Sequence, residues 1–441
     1  MPEAAPDIPG ALRRAFDHVR AGRAREAEGL CREVLRADPN QPTALNLLGT
    51  IARQAGRPDA AAELLRRAVS VAPDYADAHY NLGNALRDCG DRRGAIKAYD
   101  SALTLRPDMA GWHNNRGVAL LETDDAPAAE QAFLRAVELQ PGYAEAFNNL
   151  GNALTKQERL NEAAAAYRRA AEANPRFVGA LANLGGALIK QGDTAAALAP
   201  LDAALKLEKQ HIRATAYKAI ALRELGRAAE ADYLENDALL IGAVRPPAPP
   251  GFADIAAFNA RLVKDIREHP TLKKDWDPYQ RAARLGSVAV DLLAHKTPAI
   301  AALEAMIRRA IDGFASSLPD DPAHPFICHK PGRYALIVWG NILAEEGHQA
   351  SHIHNLGWLS GVYYPMIPPA IRAGDPEHLG WIEFGMPGYD LPCRYRPRLR
   401  QIRPENGQIL MFPSYFWHRT IPFRGAAERV SIAFDLHAQD R

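Results

Sequence analysis

Three histidines, an arginine and a serine near the end of this 441-residue chain are spaced as groups that could do chemistry together. His352 and His354 stand two apart in SHIHNLGWLSGVYY, so in a β-strand both imidazoles would project from one face. His418 follows 66 residues after His352, in FPSYFWHRTIP, and Arg429 and Ser431 come 11 and 13 residues after His418. Val430, Ile432, Phe434 and Leu436 alternate with that pair, which places the guanidinium and the hydroxyl together on the face opposite an apolar one. Neutral imidazole is a good donor for transition-metal ions. Arginine adds a fixed charge and a planar fork that matches a carboxylate, which lysine supplies less well. His324, His329, His348, His378 and His437 have no such spacing and are read as structural or solvated, and Tyr363 and Tyr364 as apolar core.

Taken together, the HxH, the late histidine and the Arg-x-Ser resemble the 2-oxoglutarate-dependent iron(II) oxygenases. Those enzymes share a double-stranded β-helix with an early His-x-Asp/Glu, a late His and an Arg-x-Ser about ten residues further on. The strings HIHN, SGVYY and GQILMFPSYFWH are similar to a bacterial branch of that superfamily in which repeat domains are often fused upstream. The resemblance runs from Phe252 to the end and implies Fe(II), 2-oxoglutarate and O₂ as the reacting set. It implies His352 as the first metal ligand, His418 as the distal ligand, Arg429 as the partner of the keto acid's distal carboxylate and Ser431 as its hydrogen-bonding neighbour. Asn341, on the strand before the HxH, is a further candidate for the keto acid, a turn or edge hydrogen bond being the other reading. Three protein ligands on one face of a six-coordinate iron would leave positions for the chelating keto acid and for O₂. The chain departs from the pattern where the usual carboxylate is His354. Either His354 is a third imidazole ligand, as in cupins, or two histidines alone bind the metal, as in aspartyl/asparaginyl hydroxylases; the three-histidine set is preferred here. Three neutral ligands leave the iron one positive charge richer than the usual set.

These residues need a scaffold. From about Tyr334 the chain turns to short runs rich in Val, Ile, Phe, Tyr and Trp separated by Gly, Pro and Asn. ALIVWGNIL, SGVYYPM, GWIEFG, GQILMFP and RVSIAFDLH are the expected strands of a jelly roll. Upstream, Phe258, Leu262 and Ile266, then Ile300, Leu303, Ile307, Ile311 and Phe314, recur at helical spacing and predict two helices packed outside it. Residues 242–251, with four prolines in GAVRPPAPPGF, are expected to form a stiff connector.

The first half is periodic. Prolines at 39, 73, 107, 141 and 175 and glycines at 49, 83, 117, 151 and 185 keep a step of 34 residues, and alanines at 27, 61, 95, 129, 163, 197 and 231 extend it to seven copies. This pattern resembles the tetratricopeptide repeat (TPR), in which small residues let two helices approach and the proline ends the second. The last copy has Lys209 where the proline falls. Asn81, Asn115, Asn149 and Asn183 keep the same step on each first helix, like the asparagine ladder in the TPR segment of protein O-linked N-acetylglucosamine transferases. That likeness implies a concave groove whose carboxamides address the main chain of a peptide; hydrogen bonding between helices is the alternative.

The expected architecture is therefore α+β and multidomain: a TPR α-solenoid over 1–241 of about seven helix pairs, a linker at 242–251, and an oxygenase-like domain over 252–441 with helices in 252–318 and a double-stranded β-helix core in 326–441. Fifty-three basic against fifty-two acidic residues give no field for nucleic acid or an anionic membrane. No apolar run fits a signal peptide or a membrane span, so a cytoplasmic location is expected, and four scattered cysteines fit reduced thiols. The leading expectation is a 2-oxoglutarate- and Fe(II)-dependent dioxygenase that hydroxylates a peptide or protein side chain presented by the TPR groove. Alternatives are a small-molecule hydroxylase whose repeats serve docking or oligomerisation, a three-histidine dioxygenase that needs no keto acid, and a non-catalytic scaffold with a degenerate barrel.

Overall fold

The structure is a computed structural model, and it describes residues 7–273, 283–388, 391–424 and 427–439. The chain divides into two compact units, Met1–Ala180 and Leu181–Arg441.

The first unit is built of helix pairs such as Ala76–Asp88 with Arg92–Leu105 and Ala144–Lys156 with Leu160–Ala173. The period has a packing cause. A Cβ added at Gly83, Gly117 or Gly151 would come within 2.5 to 2.6 Å of the ring of Tyr99, Phe133 or Tyr167, so the glycine is the socket for an aromatic ring of the next helix. The alanines of the seven-copy series are all fully buried, where a larger side chain would force the helices apart. Two of the second helices begin on aspartates whose carboxylates accept from the backbone of the first turn, Asp91 from Gly94 and Asp125 from Ala128.

In the second unit, ten strands among the described residues form two antiparallel sheets. They are β1 (Gly242–Val244), β2 (Leu272–Lys273), β3 (Ala283–Ala289), β4 (Tyr334–Gln349), β5 (Leu359–Met366), β6 (Ile382–Phe384), β7 (Arg400–Ile402), β8 (Ile409–Pro413), β9 (His418–Thr420) and β10 (Arg429–Ala438). One sheet runs β1-β8-β5-β10-β4-β3-β2 and the other β7-β6-β9. All pairs are antiparallel, as the expected jelly roll requires. Each of the five strands expected from the sequence coincides with one of β4, β5, β6, β8 and β10. The two expected helices form as Ile255–Arg267 and Pro298–Ser317, and their apolar stripes are buried. The Phe258 ring lies 6.3 Å from that of Tyr363, so the first helix covers one face of the large sheet and leaves the other for the site.

Two features of the structure bear on the expected boundaries. The expected stiff connector over 242–251 begins as β1, hydrogen-bonded to β8; Gly242, Ala243 and Val244 keep the N–H groups that the prolines after them lack. The expected domain limit at 241 also falls inside the second unit, since the last repeat helices are bound to the barrel. Lys209, where the marker proline is lost, donates through Nζ to the Pro322 carbonyl at 2.9 Å, and Gln210 donates to that of His329 at 2.8 Å. The buried Tyr415 hydroxyl donates to the Leu234 carbonyl at 2.6 Å, and Arg398 pairs with Asp232 and Asp237. The four cysteines are free thiols, and among the described residues no helix is long and apolar enough to cross a membrane.

Adding a methyl group at Gly151 and at Gly29 should have opposite effects. Gly151→Ala should destabilise the full chain by about 1–3 kcal/mol through overpacking against Tyr167. Gly29→Ala sits on an exposed helix position where a Cβ meets nothing within 4 Å, and should stabilise by about 0.5–1 kcal/mol. Thermal melts that moved the same way for both would contradict the socket.

Candidate metal centre

The HxH is not in a regular strand. It follows β4 as an extended segment pinned by backbone bonds to the opposite strands. His352 and His418 exchange two N–H···O bonds of 3.1 Å as an isolated bridge, and the His354 N–H donates to the Ser414 carbonyl at 2.9 Å. Extended backbone still turns residues two apart to one side, so both rings meet the His418 ring arriving on β9. The three ring centroids lie 4.3 to 5.1 Å from one another, and the potential ligand nitrogens fall within 4.8 Å of each other.

The tautomers follow from what the far nitrogens touch. His352 Nδ1 is 2.7 Å from the Ala350 carbonyl and His418 Nδ1 is 3.0 Å from the Phe416 carbonyl. A carbonyl only accepts, so both Nδ1 atoms carry the proton. His354 Nδ1 lies 2.6 Å from the Asp435 carboxylate, which fixes the same tautomer. The Nε2 atoms then point inward, and those of His352 and His354 are 3.1 Å apart. Such a set repels itself and is relieved by a cation at its centre, so the donor chemistry fits a divalent metal. Burial, reinforced by the neighbouring His354, pushes the His352 imidazole down to about 3, and burial followed by the two other histidines holds His418 well below the usual range. Both rings are thus neutral and able to ligate.

Beside the histidines, a narrow recess is lined by Asn341, Tyr364, His354, His418, Arg429 and Ser431. Their positions follow from strand register: Ser431 on β10 is opposite Asn341 on β4, and Tyr364 lies on β5, the other neighbour of β10. Arg429 is 2 % exposed, and its NH1 donates to the Gly380 carbonyl at 2.8 Å. Its guanidinium carbon lies 5.3 Å from the Tyr364 ring centroid, while its Nε, the Asn341 amide nitrogen and the Tyr364 hydroxyl are buried without hydrogen-bond partners. Among the described residues no carboxylate pairs with Arg429. A buried guanidinium is costly unless an anion joins it, so the recess fits a carboxylate-bearing ligand. Burial lowers the arginine pKa and raises that of Tyr364 to about 12, so the phenol stays a donor. On the other side, a cavity of about 630 Å³ lined by Trp339, Asn341, His352, His354, Leu356 and Asp435 opens onto the same nitrogens.

The structure therefore brings His352, His354, His418, Arg429, Ser431 and Asn341 into one region. Sequence reasoning missed Asp435 and read Tyr364 as core. Tyr364 faces the recess, whereas Tyr363, on the opposite face, bonds to Asn259. Asp435 follows Arg429 by six residues on one strand, so the same alternation would have put it on the site face. His437, expected to be structural or solvated, lines the larger cavity. The asparagines of the solenoid are half-buried, and their amides act between repeats: Asn81 donates to Asn46, Asn115 to Tyr80 and Asn84, and Asn149 to Asn114. Asn183 accepts from Arg213.

Comparison with known proteins agrees with both halves. Residues 337–435 match the family model described as "Putative 2OG-Fe(II) oxygenase". Residues 12–78, 47–90, 80–144 and 144–177 match tetratricopeptide-repeat models. No curated protein sequence matches. Among solved structures the chain is similar to PilF of Pseudomonas aeruginosa, at 18% identity over 48% of this chain and 96% of that one, with a TM-score of 0.44. It is also similar to MamA of Desulfovibrio magneticus RS-1, at 23% identity, 38% and 95% coverage and a TM-score of 0.37. A third, YrrB, described as a TPR protein with an unusual peptide-binding site, has 20% identity, 42% and 95% coverage and a TM-score of 0.38.

The depressed His352 pKa has a sign that can be measured. Between the ordinary value of 6.5 and about 3 the unfolded chain binds a proton at this residue that the folded chain refuses. Its contribution to stability is complete above 6.5 and is lost as pH falls through that window toward 3. In metal-free protein, melting temperature should fall less steeply with pH for His352→Asn than for the unaltered chain; equal slopes would mean that the ring is not held neutral.

Proposed function

We propose that this chain, which joins N-terminal tetratricopeptide repeats to a C-terminal domain of the 2OG-Fe(II) oxygenase family, is a 2-oxoglutarate- and Fe(II)-dependent dioxygenase that hydroxylates a peptide or protein side chain. The single observation that carries this reading is the convergence of three imidazole nitrogens beside a buried arginine that, among the described residues, lacks an anionic partner. His352, His354 and His418 would hold the iron. Arg429 and Ser431 would hold the distal carboxylate of the keto acid, with the Asn341 amide as a further donor. With iron and keto acid bound, the chemistry supplied is oxidation of a substrate C–H to C–OH, coupled to conversion of 2-oxoglutarate and O₂ to succinate and CO₂.

The protein's own part is positioning and exclusion. Three backbone or carboxylate acceptors hold the rings in one tautomer, so the ligands need no rearrangement on loading. Buried Phe412 and Val362 and half-buried Trp339 surround the recess, which keeps water from the guanidinium and strengthens its hold on an anion. The substrate would enter through the larger cavity. The repeats support a polypeptide substrate, since TPR arrays are peptide-binding surfaces.

Anaerobic addition of Fe(II) and 2-oxoglutarate should produce a metal-to-ligand charge-transfer absorption that His418→Ala abolishes. Arg429→Lys should keep the absorption but raise the 2-oxoglutarate requirement about 10- to 100-fold, the loss of a charge-assisted fork. Absence of the absorption in the unaltered chain would leave a non-catalytic scaffold, and product formation without succinate would favour a keto-acid-independent dioxygenase. To separate the two substrate readings the cut belongs after Ala180, since a cut at 241 removes Leu234, the acceptor of Tyr415. Peptide turnover should be lost in residues 181–441; turnover of a small molecule by that fragment at the full-chain rate would contradict the peptide reading.

A further inference from the structure

The position where the family's pattern has a metal-binding carboxylate is His354, yet a carboxylate stands one ring away. Asp435 Oδ1 is 2.6 Å from His354 Nδ1, and the same oxygen accepts from the Ser360 hydroxyl at 2.7 Å. Ser360 Oγ is in turn 2.7 Å from Ser414 Oγ, and the Ser414 carbonyl accepts the His354 backbone N–H. Both serines are fully buried. Gly357 leaves space for this chain of contacts, because a Cβ there would lie 2.7 Å from Ser414 Oγ and 3.5 Å from Asp435 Cβ. Strand register sets the carboxylate in place: Asp435 on β10 lies between Ile337 of β4 and Ser360 of β5.

Resting on the metal reading above, we propose that Asp435 is a positioning residue that takes the electrostatic place of the missing carboxylate, acting through His354 rather than by touching the metal. His352 and His418 have their tautomers fixed by backbone carbonyls, which no side-chain substitution removes. His354 alone depends on a side chain. Asp435 holds its proton on Nδ1, leaves Nε2 as the donor, stops the ring from turning, and supplies the one negative charge that three neutral ligands lack. The Ser360 hydroxyl spends its proton on this carboxylate and so keeps it an acceptor aimed at the ring. A centre with one carboxylate ligand and a centre with a carboxylate hydrogen-bonded to a histidine ligand then carry the same total charge, displaced outward by one imidazole.

The test uses the full chain. In metal-free protein labelled with ¹⁵N-histidine, long-range ¹H–¹⁵N correlation should show His354 protonated on Nδ1, the signal being assigned by its loss in His354→Gln. Asp435→Ala should shift that ring toward the Nε2-protonated form and leave His352 and His418 unchanged. Anaerobic Co(II) titration should show about 10- to 100-fold weaker binding for Asp435→Ala, and at least several-fold weaker binding for Asp435→Asn, which keeps the shape and removes the charge. An unchanged tautomer in Asp435→Ala together with unchanged Co(II) affinity in Asp435→Asn would overturn the proposal; if Asp435→Ala does not fold, the affinity of Asp435→Asn decides alone. Failure of the unaltered chain to bind Co(II) would instead contradict the metal reading, and the tautomer measurement would still decide what Asp435 does.

Discussion

Three imidazoles can be crowded with their lone pairs facing inward only if something outside each ring holds the other nitrogen. That constraint organises the second unit. The carbonyls of Ala350 and Phe416 are fixed by the paired extended segments around His352 and His418, and the carboxylate of Asp435 is fixed by the register of β10 between β4 and β5. The sheet thus does more than bring residues near one another. It uses backbone groups, which cannot be lost by substitution, for two of the rings and a side chain for the third. The same strand that carries Asp435 carries Ser431 and Arg429 on the same face, so one element spans the site from the ligand-orienting carboxylate to the anion-seeking guanidinium.

The two buried charges have opposite logics. Arg429 is placed in the interior with the Gly380 carbonyl as a backbone acceptor and with its Nε unpartnered, which is expensive for the folded chain alone. Asp435 is surrounded by donors from Ser360 and His354. One group awaits an anion; the other already has its partners. A site that stores an unmet demand beside a satisfied one is what a binding recess for a carboxylate ligand next to a cation requires.

Much of this was legible in the chain because periodicity reports faces. The step of two from Arg429 to Ser431 gave the shared face, and the step of 34 gave the sockets later occupied by Tyr99, Phe133 and Tyr167. Asp435 obeys the same step of two but stayed unread, since a single aspartate on a strand has no signature until its partner across the fold is known. The HxH converged through extended backbone rather than a regular strand, a distinction that spacing cannot make. The limit of the second unit was hidden for a related reason: the 34-residue period continues past Ala180 and says nothing of what the last repeats pack against. Lys209 in the place of a proline was the local sign, and its bond to Pro322 supplies the cause. The asparagine series shows the reverse case, a strong pattern whose hydrogen bonds turn out to join repeat to repeat.

The central claim is that His352, His354 and His418 together form one metal site. X-ray absorption on the Fe(II)-loaded full chain, held without O₂, measures this directly through the multiple scattering of ligated imidazole rings. Three imidazoles per iron, falling to two in His354→Gln, is the expected result. A spectrum of oxygen neighbours without imidazole scattering, or one that none of the three histidine substitutions alters, would contradict the account.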